Sequence, residues 1–162
     1  MKKIITICLC IYAVTMFSQQ SDFWNNVQFG GGIGASFGSN ITTVAISPTL
    51  VYNFNDSFSL GASIGYQYSK RNSYKSNVFS PGIVSLYNPS ENIQLSAEFE
   101  QLYVNQSFSG NKSNYQYPAL HLGGAYNLNQ NIALGFRYDI LHDKVKSIYA
   151  SAFSPIVRIF FH

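Results

Sequence analysis

The chain is short of charge, and its cysteines are confined to one end. Only 10% of its 162 residues are Asp, Glu, Lys or Arg, against about 25% in ordinary soluble domains. Both cysteines, Cys8 and Cys10, fall near the start, so the rest of the chain holds no disulfide and no thiolate metal site. After Phe17 no apolar run reaches the roughly 18 residues that a membrane helix needs. That excludes a helical membrane protein but not one that crosses with strands. No basic stripe is present, which removes the usual basis for nucleic-acid binding.

Aromatic side chains are abundant instead: 16% of the residues, with 13 Phe and 12 Tyr. Few charges and many aromatics suit a surface that meets lipid. The first 19 residues are expected to be a secretory signal peptide, leaving residues 20–162 as one domain. Lys2 and Lys3 form a positive start, Ile4 to Phe17 an apolar stretch, and Ser18-Gln19-Gln20 a polar exit. Cleavage is expected after Ser18 or Gln19. The residues before Cys10 lack the small side chains of a lipoprotein signal. The formal charge of +3 includes the two leader lysines; without them the chain is nearly neutral.

A repeat organises the remainder. Tyr52-Asn53, Tyr87-Asn88 and Tyr126-Asn127 each open a short polar cluster, and each cluster leads into an apolar-small-Leu-small segment. Such clusters between alternating segments are tight hairpin turns. Prolines keep a similar period, with Pro48, Pro81, Pro118 and Pro155 spaced 33, 37 and 37 residues apart. Eight strands are predicted: Val27–Phe37, Thr42–Phe54, Phe58–Ser69, Val78–Tyr87, Ile93–Val104, Pro118–Leu128, Ile132–Leu141 and Ser154–Phe161. Eleven residues at the usual rise and tilt span roughly 28 Å of membrane height.

The large apolar residues alone set which face of each strand points outward. Val44/Ile46/Leu50, Phe58/Leu60/Ile64 and Leu134/Phe136/Tyr138 are examples. Glu98, Glu100, Arg137, Asp139 and Arg158, which took no part in that choice, then all fall on the opposite face, among Gly, Ser, Ala, Thr and Gln. Apolar outside and polar inside is the polarity of a membrane barrel; a soluble sheet would reverse it. The expected fold is therefore all-β, an eight-stranded antiparallel up-and-down transmembrane β-barrel in a bacterial outer membrane. An even strand count puts both termini on the periplasmic side. Tyrosines near the strand ends resemble two interfacial girdles. The closing Phe160-Phe161-His162 resembles the terminal signal read by the barrel assembly machinery, with His162 as a departure from it.

Four segments together resemble a family of short exported outer-membrane β-barrel proteins of Bacteroidetes-type bacteria. They are Phe29-Gly30-Gly31-Gly32-Ile33-Gly34, Leu86-Tyr87-Asn88-Pro89, Gln94 to Leu102 and Arg137-Tyr138-Asp139. The resemblance covers essentially all of the mature chain and implies the fold rather than a chemistry. Members sometimes carry an α-ketoglutarate decarboxylase label. That activity requires a thiamine-binding fold with a metal-pyrophosphate site, which alternating strand does not supply.

Candidate chemistry is sparse. The glycines at 30–32 and 34 alternate with Val27, Phe29 and Ile33 in a strand, whereas a phosphate loop must open a helix. His121, His142 and His162 share no metal-ligand spacing, and neither a metal nor a cofactor is expected. His142, Asp143 and Ser147 offer the residue types of a lipid-modifying site at the outer rim, though without a His-x-Ser-Asn pattern. Predicted outer loops at Gly38–Ile41, Lys70–Asn77, Asn105–Tyr117 and His142–Ala150 carry Lys70, Arg71, Lys75, Lys112, Lys144 and Lys146. Those cations suit anionic head groups such as those of lipopolysaccharide. The function expected is that of a non-enzymatic barrel serving envelope integrity, surface interaction or adhesion. Its lumen would be filled by the five charged residues, because eight strands leave room only for side chains. The alternatives are an outer-leaflet lipid-modifying enzyme using the His142 loop and a narrow small-solute channel.

Overall fold

The structure is a computed structural model that describes residues 21–38, 41–108, 111–143, 147–148 and 151–161. The expected leader, Lys144, Lys146 and His162 lie outside the described residues. A five-residue helix, α1 (Ser21–Asn25), precedes eight strands. These are β1 (Val27–Gly38), β2 (Ile41–Asn53), β3 (Phe58–Arg71), β4 (Tyr74–Ser90), β5 (Ile93–Phe108), β6 (Asn111–Asn127), β7 (Ile132–Asp139) and β8 (Phe153–Phe161). They pair antiparallel in chain order and close into a barrel, β8 returning to β1. Closure runs through Phe29↔Phe161, Gly30↔Phe160 and Gly31↔Ile159, which joins the two strands that an open sheet would leave as edges.

The turns at the end carrying both termini form as their residues dictate. Asn55 Oδ1 accepts the Ser57 and Phe58 N–H groups at 2.9 and 2.8 Å. Asn129 Oδ1 does the same for Asn131 and Ile132 at 2.8 and 2.9 Å. Asn side chains stabilise turns by this mimicry of the backbone. At the opposite end two expected loops are strand instead. β3 runs to Arg71 and β4 starts at Tyr74, so the link is Asn72-Ser73, with Asn72 at φ 52°. β5 continues to Phe108 and β6 begins at Asn111. Neither face there carries an apolar pattern, while the β3–β4, β4–β5 and β5–β6 ladders continue to the strand ends.

The alternation sets the polarity of the wall. Ile46, Leu50, Leu60, Ile64, Ile83, Leu95, Phe99, Leu122, Leu134, Phe136 and Val157 are exposed on the outer surface. Ile33 is 70% exposed there, a cost no water-facing barrel carries along a whole belt. Val27 departs from the expected pattern: it lies on the outward phase but is buried. Its register partner Tyr52 stacks on Phe23 of α1 at 5.1 Å.

Each of the four periodic prolines presents its nitrogen to the strand that follows it. In β2, the Asn53 N–H bonds back toward β1, so Pro48 faces β3. The β2–β3 ladder is interrupted there, between Ile46↔Tyr66 and Thr49↔Ser63. Pro81 likewise faces β5, where pairing skips from Phe79↔Tyr103 to Gly82↔Glu100. By the same alternation Pro118 faces β7 and Pro155 faces β1. A proline has no N–H to give, so Pro48 and Pro81 each interrupt the ladder at their own position.

Candidate functional site in the barrel lumen

The lumen holds a charged layer between two apolar ones. Glu98 and Glu100 project inward from β5, Arg137 from β7 and Arg158 from β8. Arg137 Nη1 donates to Glu98 Oε2 at 3.0 Å and to Glu100 Oε1 at 3.2 Å, joining both carboxylates. Arg158 donates to Gln94 Oε1 at 2.9 Å, to Ser96 Oγ at 2.7 Å and to Glu98. Glu98 thus receives both guanidiniums. Arginine suits this because its planar fork spreads several donors over one face.

Small residues make the space. Gly82 faces the layer from β4; a Cβ there would come within 2.6 Å of the Phe99 carbonyl oxygen and 3.0 Å of Cγ of Glu100. Any other residue at this position would push the Glu100 stem aside.

The fifth charged residue stands apart from the pairs. Asp139 Oδ1 accepts the Leu120 N–H at 3.2 Å and the Leu141 N–H at 3.0 Å, which caps the end of β7. It sits opposite His121 in the β6–β7 register, and His121 in turn sits opposite Glu98. His121 is 1% exposed. Glu98, His121 and Asp139 therefore form one row across three strands, a juxtaposition that the spacing of the histidines in the sequence did not reveal.

The apolar layers correct the expectation of small and polar inward residues. Val78, Leu102, Val104, Tyr117 and Ala119 form a buried cluster toward the loop end. Val51, Val84, Leu86 and Phe160 form another toward the turn end. A signal for both was present: Val78-Phe79, Leu86-Tyr87 and Leu102-Tyr103-Val104 are apolar on both faces of their strands, as strands buried on both sides are. Between the clusters lies a cavity of about 240 Å³, walled by Ser63, Ser80, Glu98, Glu100 and the two arginines.

The rim residues take up other contacts. Ile148 N–H donates to the Tyr117 hydroxyl at 3.0 Å, and the Ser147 side chain also hydrogen-bonds Tyr117. The Asp143 carbonyl accepts the Ser147 N–H at 2.8 Å, a backbone turn, and the His142 N–H bonds the Asp139 carbonyl at 3.4 Å. Tyr117 thus draws Ser147 inward. Among the described residues no group of three metal-ligating side chains comes together. Lys70, Lys75 and Lys112 are exposed at strand ends. The alternation puts all three on the outward face, and Lys70 stands directly opposite Lys75 in the β3–β4 register.

A closed eight-stranded antiparallel barrel with an apolar outer surface and a charged interior is the class of protein these features define. Solved structures with this fold include the Yersinia pestis outer membrane protein Ail in a phospholipid bilayer nanodisc. It matches at TM-score 0.54 and 14% identity, over 83% of this chain and 98% of that one. The N-terminal β-barrel domain of Pseudomonas aeruginosa OprF matches at TM-score 0.50 and 14% identity, over 84% and 98%. At such identity the likeness is one of fold. No protein-family model and no curated protein matches the chain.

Proposed function

We propose that this chain is a non-enzymatic barrel of a bacterial outer membrane, closed by its own side chains and serving envelope integrity or surface adhesion. The observation that carries the reading is the pairing of an exposed apolar belt with ion pairs that cross the lumen. A belt of exposed Ile, Leu and Phe is stable only against lipid. Four charges joined by ion pairs across the lumen, with apolar clusters above and below, support a barrel without a wide water path.

The partners this reading implies are lipids. Lys70, Lys75 and Lys112 face outward beyond the Tyr66/Tyr103 level, the depth at which anionic head groups of lipopolysaccharide would lie. The barrel assembly machinery would meet Phe161, which is exposed at the end of β8.

Cell fractionation tests the location and planar-bilayer recording tests the closure. The protein should sediment with outer membranes, run differently on gels before and after boiling, and show little steady conductance. A detergent-independent soluble protein would overturn the membrane reading, and a large steady conductance would replace the plug with a channel. His142→Ala should leave the lipid A mass profile unchanged; a lost lipid A modification would instead support the rim enzyme.

A further inference from the structure

The outer face of β3–β6 changes character in steps above the apolar belt. The register sets Tyr66 opposite Phe79 and Phe79 opposite Tyr103, an aromatic row across three strands. Two residues nearer the loop end, Tyr68, Asn77, Asn105 and Asn114 stand opposite one another in turn across four strands. Two residues further again, Lys70, Lys75, Ser107 and Lys112 make the next row. Alternation puts all three rows on the outer face, where the three asparagines and the three lysines are exposed.

The rows differ in what they can bind. Tyrosine at the edge of an apolar belt suits the level where lipid meets water. A carboxamide both donates and accepts, as a hydroxyl does, so three of them in a row suit a polyhydroxylated ring. The Tyr66 hydroxyl donates to Asn77 Oδ1 at 2.9 Å, which leaves the Nδ2 hydrogens of Asn77 for an acceptor on a ligand. The lysines offer positive charge and donors only. No acid shares their face. β3, β4 and β6 contain none, and Glu98 and Glu100 of β5 point into the lumen toward Arg137.

Spacing decides between lipid classes. Two residues of strand rise about 6.6 Å, which is roughly 5 Å along the barrel axis at a tilt of about 40°. The lysine row therefore stands roughly 10 Å above the aromatic one. In a glycerophospholipid the phosphate follows directly on the glycerol that carries the acyl chains. Such a phosphate would fall at the amide row, short of the lysines. A lipid with a sugar between its acyl chains and its phosphate sets hydroxyls at the amides and the phosphate at the lysines.

We propose that this ledge binds a lipid whose head is a phosphorylated sugar, with Asn77, Asn105 and Asn114 selecting the sugar. The inference rests on the outer-membrane reading above and deepens it. The lysines supply an attraction common to all anionic lipids. The amides supply the preference for a hydroxylated ring, because a site built to hydrogen-bond hydroxyls is left unpaired by a head that lacks them. The acyl chains lie along Ile64, Ile83 and Phe99, which are exposed on the same strands below the aromatic row.

Native mass spectrometry of the whole barrel tests the ledge, in micelles holding equal amounts of bisphosphorylated lipid A and phosphatidylglycerol. The unmutated protein should retain lipid A about tenfold more often. Asn77→Ala/Asn105→Ala/Asn114→Ala should bring that ratio to about one, with phosphatidylglycerol retention unchanged. Lys70→Ala/Lys75→Ala/Lys112→Ala should lower the retention of both lipids. A gel shift on boiling shows that each variant has closed. If the asparagine variant does not close, the unmutated protein decides. Equal retention of the two lipids, or undiminished retention of lipid A stripped of its phosphates, would overturn the proposal. A tenfold preference that survives the asparagine variant would overturn the role of the amides. Displacement of lipid A by a soluble sulfated dextran would assign the ledge to a free acidic glycan and overturn the lipid. None of these failures touches sedimentation with outer membranes, so a wrong ligand and a wrong location remain distinguishable.

Discussion

Arg158 on β8 meets Glu98 on β5 side chain to side chain, although β6 and β7 separate those strands in the wall. The contact crosses the lumen rather than following the sheet. Because Glu98 also binds Arg137, three strands distant in sequence are tied through one carboxylate. The interaction is therefore part of tertiary closure, and its loss should be felt by the whole barrel.

Arg137→Ala is expected to cost about 3–5 kcal/mol, since it leaves the buried Glu100 without its cation and Glu98 with one of its two. Adding Glu100→Gln should recover part of that cost by removing one of the two facing carboxylates. Urea unfolding in lipid vesicles measures both. Strictly additive losses in the double variant would mean that the carboxylates do not share the arginine.

The two faces of a single strand should respond differently to the same insertion. Ile64→Arg puts a cation on the outer face of β3 near mid-height and should destabilise the barrel in vesicles by about 2–4 kcal/mol. Ser63→Arg, one residue away, enters the cavity beside Glu100 and should be milder. Comparable losses in vesicle refolding would contradict the inward and outward assignment.

Lys70 and Lys75 are directly opposite each other, and like charges in that relation repel. Lys75→Glu should therefore stabilise the barrel in neutral lipid by about 0.2–1 kcal/mol. The same change should weaken association with lipopolysaccharide, by ~1 kcal/mol for each cation lost from a head-group surface. A substitution that gained stability without losing affinity would remove these lysines from lipid recognition.

Pro81→Val should supply an N–H toward β5 at the interrupted part of the β4–β5 ladder. The new amide is expected to be protected in hydrogen exchange, and Phe79 to Ile83 should exchange more slowly. A fast-exchanging amide at position 81 would show that the interruption has a cause other than the missing donor.

Much of this architecture was legible in the chain because strand period and burial period coincide. Leu60, Ile64 and Tyr66 must share a face, and Ser59 and Ser63 must share the other. The alternation therefore fixed the orientation of Glu98, Glu100, Arg137 and Arg158 without any knowledge of the sheet. Who meets whom was not legible. Glu98 and Arg158 are 60 residues apart, and only the closing of the barrel brings them together. The heights of β4, β5 and β6 were underestimated for a physical reason. Above the apolar belt neither face needs apolar residues, so Lys75, Asn77, Asn105 and Asn114 gave no strand signal although each is paired in the ladder. The inner apolar clusters were hidden differently: Leu102 and Val104 flank Tyr103, and an apolar run on both faces carries no phase.

The four prolines that each face the following strand also bear on how the chain could be connected. Pro48 and Pro81 interrupt interfaces whose strands a short turn joins, and Pro155 stands in the same relation to β1 across the chain ends. The β8–β1 contact is thus a fourth hairpin whose turn is missing. Joining the termini after removal of the leader, and cutting instead at Asp56 in the β2–β3 turn, would give a chain whose hairpins fall in a new order around the same circle. Because exposed turns tolerate such cuts, the permuted polypeptide should still close, with its seam moved to the Pro48 interface and the old one healed by a covalent link.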